Sequence, residues 1–154
     1  MKHEVTKPIL VIEDSKDDFE AILYALKQDG NLKNPIHRCD DGFEALTYLQ
    51  ECTEKDSTRL PCLILLDLNM PGRDGRHILK DIKSDANLNH IPTVILTTSE
   101  DQKDIGQCYR NGASVYIQKP SSIFDFIEII KPLKEYLFEL ALHPKQGNTK
   151  PQKP

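Results

Sequence analysis

Five side chains able to do chemistry together stand at the ends of short apolar runs. Glu13 and Asp14 follow Ile9-Leu10-Val11-Ile12, and Asp67 follows Leu63-Ile64-Leu65-Leu66. Thr97 follows Pro92 to Leu96, and Lys119 follows Ser114 to Gln118. Three carboxylates within a few ångströms cannot all be ionised comfortably; either one takes up a proton or a cation shares the site. Oxygen ligands without His or Cys favour Mg²⁺, which keeps several waters and uses one or two carboxylates plus phosphate oxygens. In such a site Asp67 suits the role of nucleophile toward a phosphoryl group, giving an acyl phosphate. The Lys119 ammonium offers a second positive charge and the Thr97 hydroxyl a hydrogen bond to a phosphoryl oxygen. Two plainer readings stand beside this one. An Asp after a strand is often only a turn former or N-cap, and a Lys near acids can merely pair with them.

These residues converge only if the runs are neighbouring parallel strands. Uninterrupted apolar runs of this length, closed by turn chemistry, read as strands buried on both faces. Strands are expected over Ile9–Ile12, Pro35–Cys39, Leu63–Leu66, Pro92–Leu96 and Ser114–Gln118. Between them lie helical patterns. The first is capped by Ser15 or Asp14, carries Phe19, Ile22, Leu23 and Leu26, and stops at Gly30. The second follows Asp40-Asp41-Gly42 and turns Phe43, Leu46 and Leu49 inward, with a polar loop over 54–60. Pro71 and Gly72 turn the chain after Asp67, and Asp74 opens a third helix with Ile78, Leu79 and Ile82, ending near Asn87. A fourth spans Asp101 to Asn111, with Ile105, Cys108 and Tyr109, closed by Gly112. Ser121 or Ser122 caps a long apolar-striped segment, Ile123 to Leu142, that Pro132 should kink or divide. Alternating strands and helices imply an α/β fold, a doubly wound parallel sheet with right-handed crossovers. In such sheets ligands collect outside the carboxyl ends of the strands, where the five side chains stand.

The remaining features bound the function. A chain of 154 residues reads as one domain, with residues 1–7 a loose lead-in and 144–154 a disordered tail. Net charge is −4 with both signs interspersed, so nucleic acid is not expected as a partner. The cysteines, Cys39, Cys52, Cys62 and Cys108, form no CxxC pair or zinc-like spacing. Cys39, Cys62 and Cys108 read as core residues and Cys52 as more exposed. With no signal peptide and no membrane-spanning run, the expectation is a cytoplasmic protein without disulfides or membrane contact.

Taken together, Glu13-Asp14, Asp67 with Met70-Pro71-Gly72 behind it, Thr97, and Lys119-Pro120 resemble the receiver domain of two-component response regulators (CheY-type) over about residues 8–131. The resemblance sets the receiver domain at 8–143 and implies a flavodoxin-like sheet of five strands in the order 2-1-3-4-5. It implies that Asp67 accepts a phosphoryl group from a phosphohistidine on a sensor histidine kinase. Asp14, Asp67 and the backbone carbonyl of Asn69 would hold Mg²⁺, with Glu13 acting through a metal-bound water. Lys119-Pro120 would be a cis peptide, Thr97 and Tyr116 the switch pair, and Asn69 and Ser99 the positions that tune dephosphorylation. Thr98 stands where many members carry a smaller residue. Such a domain is not an enzyme beyond slow self-dephosphorylation.

The C-terminal end resembles the small single-domain regulators that partner bacterial phytochromes, notably in cyanobacteria, which implies a phytochrome-type kinase. The twelve residues after Leu142 are too few for an output domain, so the signal would leave through an unknown downstream protein. Phe126, Ile127, Ile130, Leu133, Leu137 and Phe138 make more apolar surface than one helix needs to cover its sheet, so a homodimer through this helix and the adjoining edge strand is expected, the alternative being a C-terminal extension folded back on its own domain. Other readings fit less well. A haloacid-dehalogenase-like phosphatase needs a second carboxylate where Asn69 stands. A flavodoxin-like cofactor binder would place a phosphate against Glu13-Asp14. A docking adaptor that is never phosphorylated would not need Asp67, Thr97 and Lys119 together.

Overall fold

The computed structural model describes residues 6–28, 30–72 and 74–137. Five parallel strands, β1 (Ile9–Ile12), β2 (Ile36–Cys39), β3 (Leu63–Leu66), β4 (Thr93–Thr97) and β5 (Val115–Gln118), lie in the order β2-β1-β3-β4-β5. They alternate with α1 (Lys16–Lys27), α2 (Gly42–Lys55), α3 (Gly75–Ser84), α4 (Gln102–Arg110) and α5 (Ile123–Leu137). This is the expected flavodoxin-like α/β sheet. The supposed polar loop before β3 instead continues α2 to Lys55 and then forms a short 3₁₀ turn, Ser57–Arg59, capped by Asp56.

The inner strands β1 and β3 are apolar throughout because both their faces are covered, whereas the edge strands β2 and β5 carry His37, Arg38 and Gln118. Leu10, Ile12, Ile64, Leu66 and Ile95 face the layer built by Ala45, Leu49, Ile78, Leu79, Ile82 and Cys108, contributed by α2, α3 and α4. Ile9, Val11, Leu63, Leu65, Val94 and Leu96 face Ala21, Ile22, Ala25 and Leu26 of α1 and Phe126 and Ile130 of α5. The period of two along each strand thus assigns alternate residues to opposite cores. Each buried Leu or Ile contributes about 1.5–3 kcal/mol relative to exposure.

Register sets the site. Ile12 is aligned with Leu66 and with Cys39, and Thr97 with Gln118. The ladder runs one residue further: Asp67 N–H donates to the Ile12 carbonyl at 3.1 Å, and Lys119 N–H to the Thr97 carbonyl at 2.6 Å. Glu13, Asp67 and Lys119 therefore leave the sheet at one edge, on backbone that is still hydrogen-bonded.

Several side chains differ from expectation. Phe43 is 74% exposed, because the inward stripe of α2 is Gly42, Ala45, Leu49 and Cys52. That register buries Cys52, while Cys62, just before β3, is half-buried; all four cysteines are free. The α3 helix ends at Ser84, where the Asp85 N–H caps the Ile82 carbonyl. Helix α5 continues past Pro132 as one element. Pro132 is exposed, so water can serve the carbonyl that loses its partner.

The supposed dimer face needs the largest correction. Phe126 and Ile130 are 2% and 1% exposed and pack on α1 and the sheet, while Ile127 is partly buried beside them. They are core residues because α5 covers the outer half of this face. The side chains of Leu133 and Leu137, all of Phe138, and the tail lie outside the described residues.

Candidate functional site

Glu13, Asp14 and Asp67 each place a carboxylate oxygen within 4.8 Å of the others. Glu13 and Asp67 are buried and Asp14 is exposed, so the cluster opens to solvent on one side. One Glu13 oxygen accepts the Ser15 N–H at 3.1 Å, and the other accepts the Lys119 ammonium at 2.7 Å. Lys119 also donates to Asp18 at 2.8 Å and to Asp67 at 3.4 Å. Burial opposes the charge on Lys119, but Glu13, Asp18 and Asp67 outweigh it and hold its pKa above the usual lysine range. Burial pushes the Glu13 carboxyl up to about 7; Lys119 draws it back down, and Asp67 adds to the rise. The donor set is hard oxygen in a partly open cleft, and it fits Mg²⁺. A second acidic group, Asp40, Asp41 and Glu44, is accounted for locally. Asp41 accepts the Glu44 N–H, and Glu44 accepts the Asp40 N–H, as in a capping box.

The loops are held by their own backbones and by Arg38. Its guanidinium donates to the carbonyls of Glu13 at 3.1 Å and Asp14 at 3.2 Å, and lies over the Phe19 ring at 5.3 Å. On the other side of Asp67, α3 starts so close to the turn that Gly75 is required. A Cβ there would meet the Asp67 carbonyl oxygen and lie 2.6 Å from the Leu68 Cα. Ser15 and Asp74 are the N-caps expected of α1 and α3.

Thr97, fully buried, is the hub on the β4 side. Its hydroxyl accepts from the Asn69 side-chain amide at 3.3 Å and from the Ser99 N–H at 3.4 Å. The Asn69 N–H in turn points to Asp67 at 3.3 Å. The side chain of Asn69, of which the expected metal role uses only the backbone carbonyl, is therefore engaged as well. Tyr116 is half-buried and donates its hydroxyl to the Ser99 carbonyl at 2.9 Å. The Ser99 hydroxyl donates to Asp104 at 2.7 Å. Asp104 is gripped by Arg76 at both oxygens, at 2.7 and 2.6 Å, and Arg76 also reaches Asp74 at 2.9 Å. That bidentate pair holds the Asp104 carboxyl down at about 2.

Every sequence-derived site residue except the supposed dimer face falls in this one region. Lys119-Pro120 differs in one respect: there is no cis peptide among the described residues. The trans form is favoured for X–Pro bonds by about 0.5–1 kcal/mol. Sequence reasoning missed Asp18, Arg38, Gly75, Arg76 and Asp104. Asp18 carried a signal, but a misleading one: Ser15-x-x-Asp18 reads as a capping box, whereas Asp18 reaches Lys119.

The sequence profile of the response regulator receiver domain matches residues 9–131. The chain belongs to that family. Response regulator Rcp1 of Synechocystis sp. is 33% identical over 138 residues, covering 90% of this chain and 93% of Rcp1. The phosphorylated cyanobacterial phytochrome response regulator RcpA superimposes with a TM-score of 0.80 at 36% identity, over 89% of this chain and 97% of RcpA. The Mn²⁺-bound form of Rcp1 gives 0.78 at 31% identity, over 88% and 96%. The chain is thus a receiver of the two-component type, related to phytochrome-partnered response regulators.

Proposed function

We propose that this receiver accepts a phosphoryl group on Asp67 from a phosphohistidine of a sensor histidine kinase of the phytochrome type. The observation that carries the reading is one buried carboxylate, Asp67, set between an acid pair, a buried ammonium and a buried hydroxyl hub. In the transfer the P–N bond of the donor breaks, a P–O bond forms to an Asp67 carboxylate oxygen, and the imidazole is released. Asp14, Asp67 and the Asn69 carbonyl would hold Mg²⁺, with Glu13 acting through a water. When bound, it supplies positive charge against the phosphoryl oxygens. The Mn²⁺-bound form of the relative Rcp1 supports a divalent cation as the group taken up here.

The chain's own residues do the rest. Lys119 turns toward a phosphoryl oxygen, and Thr97 leaves Asn69 to donate to another. That motion withdraws the hydroxyl from beneath Ser99, whose carbonyl anchors Tyr116, so the ring is released to rotate inward. Asn69 and Ser99 flank the route of attacking water and set the lifetime of the acyl phosphate, which leaves slow self-dephosphorylation as the only turnover. The output is a protein-binding surface offered to a downstream protein in the cytoplasm. Self-association would use Ile123 and Phe124 of α5, since Phe126 and Ile130 are occupied and Ile127 packs beside them.

Intact mass after incubation with a small phosphodonor tests the reading. One phosphoryl adduct is expected with Mg²⁺, none with EDTA and none in Asp67→Asn. Absence of an adduct in the Mg²⁺ arm would overturn it in favour of a docking adaptor. A phytochrome-type kinase should then transfer to Asp67 faster than an unrelated sensor kinase does.

A further inference from the structure

Lys119 has three ammonium hydrogens and three carboxylates to give them to. The two short bonds go to Glu13 at 2.7 Å and Asp18 at 2.8 Å, and the long one to Asp67 at 3.4 Å. Asp18 differs from the other two. It comes from the first turn of α1, its side chain is 30% exposed against 2% and 6% for Glu13 and Asp67, and it is not a member of the carboxylate cluster that fits a cation. Nor does it cap its own helix, since the Ser15 N–H is taken by Glu13. Lys119 is the one ion-pair partner of its carboxylate among the described residues.

We propose that Asp18 is a positioning residue that competes with the phosphoryl group for Lys119. Resting on the reading of Asp67 as phosphoacceptor, it holds the ammonium at a distance from Asp67 until a phosphoryl oxygen displaces it. Of the three carboxylates it is the one released, because its exposed side regains water when the bond breaks, whereas Glu13 would be left buried and unpaired. Asp18 thereby weakens the phosphorylated state and keeps the site reversible. It acts through Lys119 and never touches the reacting atoms.

The test is the Kd for beryllofluoride, a mimic of the phosphoryl group on a carboxylate, measured in Mg²⁺ by NMR titration of backbone amides. Asp18→Asn should tighten binding by roughly three- to tenfold, the scale of a partly exposed ion pair acting as a coupling. Asp17→Asn removes the same charge from the same helix turn without touching Lys119, and should change the Kd by less than about twofold. Asp18→Glu, which keeps the charge, should stay near wild type. An equal gain in Asp17→Asn would reduce the effect to net charge, and unchanged or weaker binding in Asp18→Asn would overturn the proposal outright. A wild type that takes up no beryllofluoride would instead sink the phosphoacceptor reading itself.

Discussion

Asp67 stands among other carboxylates before anything binds. Its carboxylate sits within 4.8 Å of oxygens from Glu13 and Asp14, and the nearest cation, Lys119, is bonded more closely to two other acids. Buried like charges that are not fully compensated oppose folding. Neutralising Asp67 should therefore stabilise the metal-free protein. Asp67→Asn is expected to raise the unfolding free energy by about 1 kcal/mol in EDTA, since the amide keeps an acceptor for Lys119. Urea unfolding measures this. Mg²⁺ should stabilise the wild type, through binding to the native state only, and do markedly less for the variant. A loss of stability in Asp67→Asn would mean that Lys119 depends on that carboxylate more than on Glu13 and Asp18. At this scale the sequence was informative where a side chain follows directly from a strand end, as for Glu13, Asp67, Thr97 and Lys119. It was silent where partners are far apart in the chain. Asp18 and Lys119 are 101 residues apart, and no local pattern distinguishes Asp18 from an acid favoured by the helix dipole.

Helices α3 and α4 are joined by one bidentate contact. Arg76, in the first turn of α3, spans Asp104 of α4 and Asp74 at its own N-cap, and Asp104 also receives the Ser99 hydroxyl. Arg–carboxylate forks are among the stronger ion pairs, though Arg76 is one-third exposed and the value is discounted for that. Arg76→Gln should cost about 1 kcal/mol at neutral pH. The sign of its pH dependence follows from Asp104, whose pKa is lowered from 3.8 to about 2. A depressed carboxylate contributes stability fully above its unfolded pKa and loses it as pH falls through the folded one. The gap between wild type and Arg76→Gln should thus be constant above about pH 4 and close between about pH 4 and 2. Urea midpoints across that range test it; a gap that persists at pH 2 would assign the effect to packing of the Arg76 stem. Strand limits and the caps of α1 and α3 were legible at this scale, because apolar runs, Ser15 and Asp74 announce themselves. The facing of α2 was not. Phe43 looked like a core residue by type, but Ala45 and Gly42 allow the close approach to the sheet, and a small-residue stripe is quieter than an aromatic one.

Among the described residues, the start of α5 carries an uncovered apolar flank. Ile123 and Phe124, adjacent in its first turn, are 41% and 77% exposed. Sedimentation should give a mass rising toward two chains with concentration, and Phe124→Asp should weaken that association by roughly tenfold, as expected for an aromatic anchor. A monomer at every concentration, phosphorylated or not, would overturn the homodimer. The fold class and strand order were legible because five apolar runs alternating with helical patterns admit few topologies. The distribution of α5 residues between core and surface was not, since an apolar excess does not say which side is already occupied.

The site's cation and its hydroxyl hub lead to opposite sides of the sheet. Lys119 is tied to Asp18 on α1, which packs with α5, whereas Thr97 leads through Ser99 to Asp104 and Arg76 on α4 and α3. On the proposed reading, a single change of charge at Asp67 would be transcribed twice, onto two surfaces that face away from one another. Two proteins would then be able to consult the same residue at the same moment without meeting, a message written by one of them being legible to the other from behind.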